Sequence, residues 1–178
     1  MLRNHITKKI IYDSLCELLN EKSMNKITVN DILVKSKCSR STFYRHFKDK
    51  YDLMNWFYKY HVEQLFINGT SMYEVQLNII KFYDNNRKYF QSILNFRGQN
   101  SFRDFVHRNG EELIKDFVKK KINANELSQD VEFAIKMFNY GAFNMAIEWL
   151  NNNFKLTPEE FNRQRCDNMP QILKDLCS

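Results

Sequence analysis

Glycine and proline are scarce in this chain, at four and two among 178 residues. With so few breakers, long segments run uninterrupted, and an all-α fold is the expectation. Cysteine is nearly as rare, at positions 16, 38, 166 and 177, with no C-x-x-C pair and no histidine at ligand spacing. That distribution argues against a disulfide framework and against a metal site, and it fits a reducing cytoplasm. No apolar run approaches about 18 residues, so no membrane span is expected. The N-terminus "MLRNHITKKIIYDSLCELL" carries charges inside its apolar pattern and does not read as a signal peptide. No nucleophile–base pair or glycine-rich phosphate loop appears, so neither an enzyme nor a bound cofactor is expected.

What the chain does have is apolar residues and an uneven charge. Hydrophobic residues make up 43% and aromatics 15%, enough for a packed core. The net charge of +6 lies entirely in the first third. Residues 1–60 hold 12 Lys and Arg against 6 Asp and Glu, whereas the rest hold 15 of each. A basic module on a neutral body points to a polyanionic partner at one end, nucleic acid ahead of a membrane surface.

Apolar spacing sets the local reading. Ile6, Ile10, Ile11, Leu15, Leu18 and Leu19 recur at three or four residues and predict a first helix. Thr28, with Asp31 three residues on, reads as the cap of a short second helix carrying Val29, Ile32 and Leu33. Ser36-Lys37 breaks the pattern, and a third helix opens at Ser39, with Cys38 and Phe43 in the arrangement of a hydrophobic staple. Asp49 then caps a fourth. Beyond "NGTS" the pattern predicts helices over 73–85, 88–94, 101–121, 128–152 and 158–176, the last kinked or broken at Pro170.

The stretch "CSRSTFYRHFKDKYDLM" carries the chemistry. At about 100° per residue, Phe43 and Phe47 define a buried side, Ser41, Arg45 and Lys48 fall nearly opposite, and Thr42 and Tyr44 flank them. Residues 39–48 contain no Asp or Glu, unlike an ordinary solvated helix face. Arginine can read guanine bidentately in a major groove, and hydroxyls bond phosphates or base edges. A short helix held by two others across a tight turn fits a helix-turn-helix. On residues alone, a protein-interaction module whose basic face meets an acidic partner stays open.

The run "TVNDILVKSKCSRSTFYRHFKDKYDLM" closely resembles the N-terminal domain of the TetR family of bacterial transcriptional regulators, from about Ile6 to Tyr60. The resemblance implies a helix-turn-helix DNA-binding domain over 1–50, a fourth helix near 50–67 as connector, and a helical effector-binding and dimerisation domain over 68–178. It implies that Thr28 touches a phosphate, with Asn30 beside it. Arg40, Ser41, Thr42 and Arg45 become base-reading and groove-lining positions, Tyr44 and His46 clamp the backbone, and Lys50 is a further phosphate contact. Where the family usually has glycine in the turn, this chain has Lys37, which carries modest strain and adds a cation. The implied function is a sequence-specific, dimeric regulator on a pseudo-palindromic duplex operator, most often a repressor released by an effector. An activator, or control by a protein partner, is the alternative.

The neutral remainder is less explicit. "YGAFNMAIEWLNNNFKLTPEEF" resembles the C-terminal domain of a TetR subgroup that includes dihydroxyacetone-kinase regulators, in which the effector can be a protein rather than a small molecule. That likeness implies a homodimer interface drawing on Ala142, Met145, Ala146, Trp149, Phe161 and Ile172. Phe82, Tyr89, Phe102, Phe105 and Tyr140 are candidate effector contacts. Aromatics at helical spacing also serve as core, and the residues leave that choice open.

Overall fold

A computed structural model describes residues 2–94, 102–151 and 155–177. Among these residues there are ten α-helices, one 3-10 turn and no strand, the all-α architecture that the breaker-poor sequence implies. Contacts divide the chain into two compact units, residues 1–60 with 88–102, and residues 61–87 with 103–178.

The first unit contains α1 (Leu2–Glu21), the 3-10 turn Met24–Lys26, α2 (Val29–Ser36), α3 (Arg40–His46), the start of α4 (Lys50–Asn68) and most of α6 (Arg87–Leu94). Its core is aromatic. Tyr12 of α1 stacks on Phe57 of α4 with ring centres 3.8 Å apart, and Tyr89 of α6 meets both rings edge-on. The edge-to-face contacts of Tyr89 suit rings with negative faces and positive edges. The buried Tyr89 hydroxyl donates to the Met54 carbonyl at 3.2 Å, and burial pushes its pKa well above the ordinary value, so it remains a neutral donor. The helix expected from Ile6 to Leu19 is α1, in which Ile11, Tyr12, Leu15 and Leu18 are buried while Ile6 and Ile10 are 51% and 47% exposed. In these early turns the side of α1 that meets α4 carries His5, against the Trp56 and Tyr60 rings, and Lys8, over Phe47 and Trp56, so Ile6 and Ile10 lie off that contact.

The second unit contains the rest of α4, α5 (Met72–Asn85), α7 (Phe102–Ile122), α8 (Gln129–Leu150), α9 (Pro158–Asp167) and α10 (Gln171–Cys177). Pro170 does break the last predicted helix, giving α9 and α10, because proline lacks the amide that would continue the ladder. Thr157 and Glu160 form a reciprocal capping box at the start of α9, with Pro158 in the first turn. Trp149 of α8 stacks on Phe161 of α9 at 5.2 Å, and its indole N–H donates to the Leu156 carbonyl. Arg87 donates to the terminal carbonyls of Trp149 and Leu150, lays its guanidinium 4.4 Å from the Trp149 ring, and pairs with Asp84. One side chain thereby satisfies carbonyls that α8 leaves without helical partners. The buried Asn139 donates to the His107 carbonyl at 2.7 Å, joining α8 to α7 where Gly110 leaves room for its amide.

Gly69, between α4 and α5, is required by space rather than by backbone angle. A β-carbon there would press on the Val75 side chain and stand 2.8 Å from the Leu65 carbonyl oxygen. Gly69→Ala is therefore expected to destabilise the fold by about 1–3 kcal/mol, measured by urea unfolding. Unchanged or higher stability, the usual outcome where glycine is merely flexible, would overturn this.

Candidate nucleic-acid interface

Two caps and a turn set the geometry of α2 and α3. Thr28 Oγ1 accepts from the Asp31 amide at 3.1 Å, and Asp31 Oδ2 accepts from the Thr28 amide at 2.7 Å, a complete capping box. The Thr28 amide, foremost, and the Lys22 ammonium hold the Asp31 carboxyl down at about 2. At the other end of α2, Ser36 Oγ donates to the Leu33 carbonyl and accepts from the Cys38 amide, stitching the turn from inside. Lys37 then adopts the left-handed conformation, with φ 55° and ψ 25°, at the position that glycine would take without a steric penalty.

Ser39 caps α3 and accepts from the Thr42 amide at 3.1 Å. Its hydroxyl also pairs with the Ser41 and Thr42 hydroxyls, both at 2.9 Å, so three hydroxyls form one local cluster. Phe43 is fully buried and Phe47 nearly so, with Phe47 edge-on to Trp56 at 5.7 Å. The Lys8 ammonium of α1 lies over both the Phe47 and Trp56 rings. Asp49 accepts from the Tyr51 and Asp52 amides at 2.8 Å, and Asp52 accepts from the Lys48 amide, fixing the turn out of α3.

With Phe43 and Phe47 inward, Arg40, Ser41, Tyr44, Arg45 and Lys48 are exposed, and Thr42 and His46 are half-buried. Charge is distributed unevenly over the same helices. Lys22 pairs with Asp31, and Lys35 with Glu17 and Glu21. Lys37, Arg40, Arg45 and Lys48 form no ion pair among the described residues. The cations on one flank are neutralised within the protein and those around α3 are not. Such a surface suits a phosphate backbone with base edges beside it.

Thr28 and Asn30 are exposed at the start of α2, an eight-residue helix, so they stand about 12 Å along it from Lys37. Lys50 differs from the other cations: its ammonium donates to the Ile27 carbonyl at 2.6 Å and the Met24 carbonyl at 2.8 Å. Burial, the largest influence on it, holds its pKa below the ordinary lysine value. His46 Nε2 is buried and has no hydrogen-bond partner among the described residues, and burial first, then Arg45 and Lys8, keeps this imidazole below its ordinary pKa. A groove of about 750 Å³ runs beside α3, and Asn4 and Thr7 of α1 line it with Thr42, Arg45 and His46. Sequence reading missed Asn4 and Thr7, because nothing in an amphipathic pattern states which turn of α1 lies against α3.

The other candidate residues are dispersed. Tyr89 and Phe102 belong to the core of the first unit, where Phe102 meets Tyr58 edge-on at 5.3 Å. Phe82, Phe105 and Tyr140 belong to the second. Phe82 stacks with His61, and Tyr140, 44% exposed, stacks on His107 at 4.1 Å. Trp149, Phe161 and Ala146 are buried within their unit and Ala142 nearly so, whereas Met145 and Ile172 are 41% and 37% exposed. No group of three or more His, Cys, Asp or Glu among the described residues could hold a metal ion, and no helix is long and apolar enough to cross a membrane.

Comparison with known proteins matches both halves of the chain. Residues 70–171 match the family model for a transcriptional regulator C-terminal region of the TetR type, and residues 11–55 match the model for bacterial regulatory proteins of the tetR family. A curated relative, the HTH-type dhaKLM operon transcriptional activator DhaS of Lactococcus lactis subsp. lactis (strain IL1403), is 28% identical over 96 residues. That alignment covers 52% of this chain and 51% of the relative, so it spans about half of the curated protein's length. Among solved structures, the dihydroxyacetone kinase operon activator DhaS superposes with a TM-score of 0.68 at 22% identity, covering 97% of this chain and 99% of that one. A TetR regulator from Streptococcus agalactiae 2603V gives 0.67 at 21%, covering 95% and 96%. One from Rhodococcus sp. RHA1 gives 0.66 at 15%, covering 96% and 97%. At these identities the solved structures establish a shared fold.

The left-handed turn at Lys37 stores strain that glycine would not. Lys37→Gly is expected to raise stability by about 1 kcal/mol, read as a higher urea midpoint with an unchanged slope. A lower midpoint would show that the lysine stem contributes more through packing than the backbone loses.

Proposed function

The chain belongs to the TetR family of bacterial transcriptional regulators, and from that premise we propose that it acts as a homodimer on a pseudo-palindromic duplex operator. The observation carrying the reading is the acid-free outer face of α3, exposed over the Phe43 and Phe47 anchor with its cations unpaired. In this reading Arg40, Ser41, Thr42 and Arg45 face base edges in the major groove. Tyr44, His46, Lys37 and Lys48 grip the backbone on either side, and Thr28 and Asn30 hold a phosphate from the start of α2. Two copies of α3 would enter successive major grooves roughly 34–36 Å apart or more.

The second unit supports pairing with a like chain. Met137 and Met145 are exposed four residues on either side of Gly141, and a β-carbon at Gly141 would meet nothing within 4 Å. Glycine inside a helix costs about 1 kcal/mol relative to alanine, and no neighbour among the described residues accounts for it. An isologous interface uses the same patch on both chains, and with a two-fold axis near Gly141 the Met137 of one chain would meet the Met145 of the other across the gap that glycine leaves. The adjoining depression of about 230 Å³, bounded by Phe138, Arg165 and Pro170, and the exposed Ile172 of α10 would extend that contact.

An effector, small molecule or protein, would bind the second unit and alter the separation of the two α3 helices, changing operator affinity without touching the DNA face. Of the candidate aromatics, Tyr140 is 44% exposed and Phe82 and Phe105 are half-buried, so a ligand can reach these more readily than the buried Tyr89 and Phe102. Repression released by the effector is the usual mode in the family. The name of the Lactococcus lactis relative, an operon activator, favours activation as a second reading. Transcription from the bound promoter, with and without the chain, separates the two.

Arg45→Ala and Tyr44→Ala should each weaken operator binding by about 1–3 kcal/mol, or abolish it in a gel shift, while unfolding at the wild-type midpoint. Undiminished affinity in both variants would sink the assignment. Met145→Glu should convert the dimer to a monomer in light scattering and reduce operator affinity, because a charge buried in an apolar interface is costly. A dimer that persists unchanged would place the interface elsewhere.

A further inference from the structure

Lys48 and Lys50 lie two residues apart in a basic stretch, and sequence reading assigns both to DNA. Their surroundings separate them. Lys48 is exposed, its backbone amide engaged by Asp52 and its ammonium in no ion pair among the described residues. Lys50, the first residue of α4, sends its ammonium back across more than 20 residues of chain to the Ile27 and Met24 carbonyls, at 2.6 and 2.8 Å. Both of those residues are buried, and the Met24 carbonyl also accepts from the Ile27 amide, closing the 3-10 turn. The Lys50 ammonium further lies 5.1 Å from the Tyr51 ring centre. Two of its three donors are therefore committed to carbonyls that water reaches poorly, where an unmade hydrogen bond is expensive.

What those carbonyls position matters. Ile27 immediately precedes Thr28, the residue that caps α2 and opens the surface assigned to DNA. The 3-10 turn joins α1 to α2, and Lys50 ties it to the first turn of α4, directly after the chain leaves α3. We infer that Lys50 is a positioning residue of the DNA-binding surface, fixing the N-terminal turn of α2 through the Met24 and Ile27 carbonyls instead of neutralising a DNA phosphate. The inference rests on the DNA-binding reading above and refines it. Partial burial, which lowers its pKa below the ordinary lysine value, is in keeping with an ammonium turned toward those carbonyls.

Counterion release provides the test, because each phosphate neutralised contributes about 0.9 to the slope of log affinity against log salt. The probe is the duplex that the wild-type chain recovers from a random-sequence pool, titrated from low to high salt, well below the unfolding temperature. Lys48→Met should weaken binding and make the slope shallower by about 0.9. Lys50→Met should weaken binding about tenfold at every salt concentration while keeping the wild-type slope. A shallower slope for Lys50→Met would make it a phosphate contact and overturn the inference. Unchanged affinity in the folded variant would reduce Lys50 to a stabiliser and overturn it equally. Should Lys50→Met fail to fold, amine acylation of the wild-type chain decides the matter. Lys50 is expected to resist labelling with and without DNA, and Lys48 to be protected only by DNA. Free reactivity of Lys50 followed by protection on DNA would refute it. Absence of salt-dependent binding by the wild type would instead overturn the underlying DNA-binding reading.

Discussion

A seven-residue helix cannot sustain itself in water, because nucleating the first turn costs more than so short a ladder returns. α3 is such a helix, and it carries nearly all the chemistry of the first unit. It persists because Phe43 is fully buried and Phe47, just past its end, packs against Trp56 under the Lys8 ammonium. The two rings leave the helix a single rotational setting. Arg40, Ser41, Tyr44 and Arg45 face outward as a consequence of that setting, and the groove beside α1 follows from it.

Caps and charges supply the remaining constraints. Ser39, Asp49 and the Thr28–Asp31 box satisfy amides that short helices would otherwise leave unpaired, so they fix where α2, α3 and α4 begin. The cations then divide into two groups. Lys22 and Lys35 are neutralised by acidic partners in the same unit, whereas Lys50 keeps its charge but has its ammonium held by two carbonyls, so the cations free to turn outward lie around the turn and α3. Net charge alone cannot make that distinction. Long-range attraction for a polyanion depends on which cations remain unpaired, and local pairing decides that.

The second unit is held by groups that look unremarkable in sequence. Arg87 closes the end of α8, Asn139 joins α8 to α7, and Asn162 donates from α9 to the Tyr73 carbonyl of α5. Each is a long-range link between a side chain and a backbone carbonyl, with no periodicity to announce it. Gly110 and Gly141 share one residue type and opposite circumstances. A β-carbon at Gly110 would meet Asn139 Oδ1 at 2.5 Å, and one at Gly141 would meet open space. Only the packed structure separates a glycine that a neighbouring side chain requires from one that no described neighbour constrains.

Short-range spacing by itself determined the helical class, the caps at Thr28, Ser39 and Asp49, the break at Pro170, and the inward setting of Phe43 and Phe47. Each follows from interactions between residues a few positions apart, which the sequence states directly. The wheel drawn on Cys38 to Lys48 therefore also found the exposed face. Tertiary structure alone decided the rest: Ile6 and Ile10 lie on solvent, Asn4 and Thr7 beside α3, Tyr89 and Phe102 in one unit with Phe82 and Tyr140 in the other, and Lys50 on Met24 and Ile27. Those facts depend on which turn of one helix meets which turn of another. That register is set by the fit of buried side chains across the whole core, and no local pattern contains it.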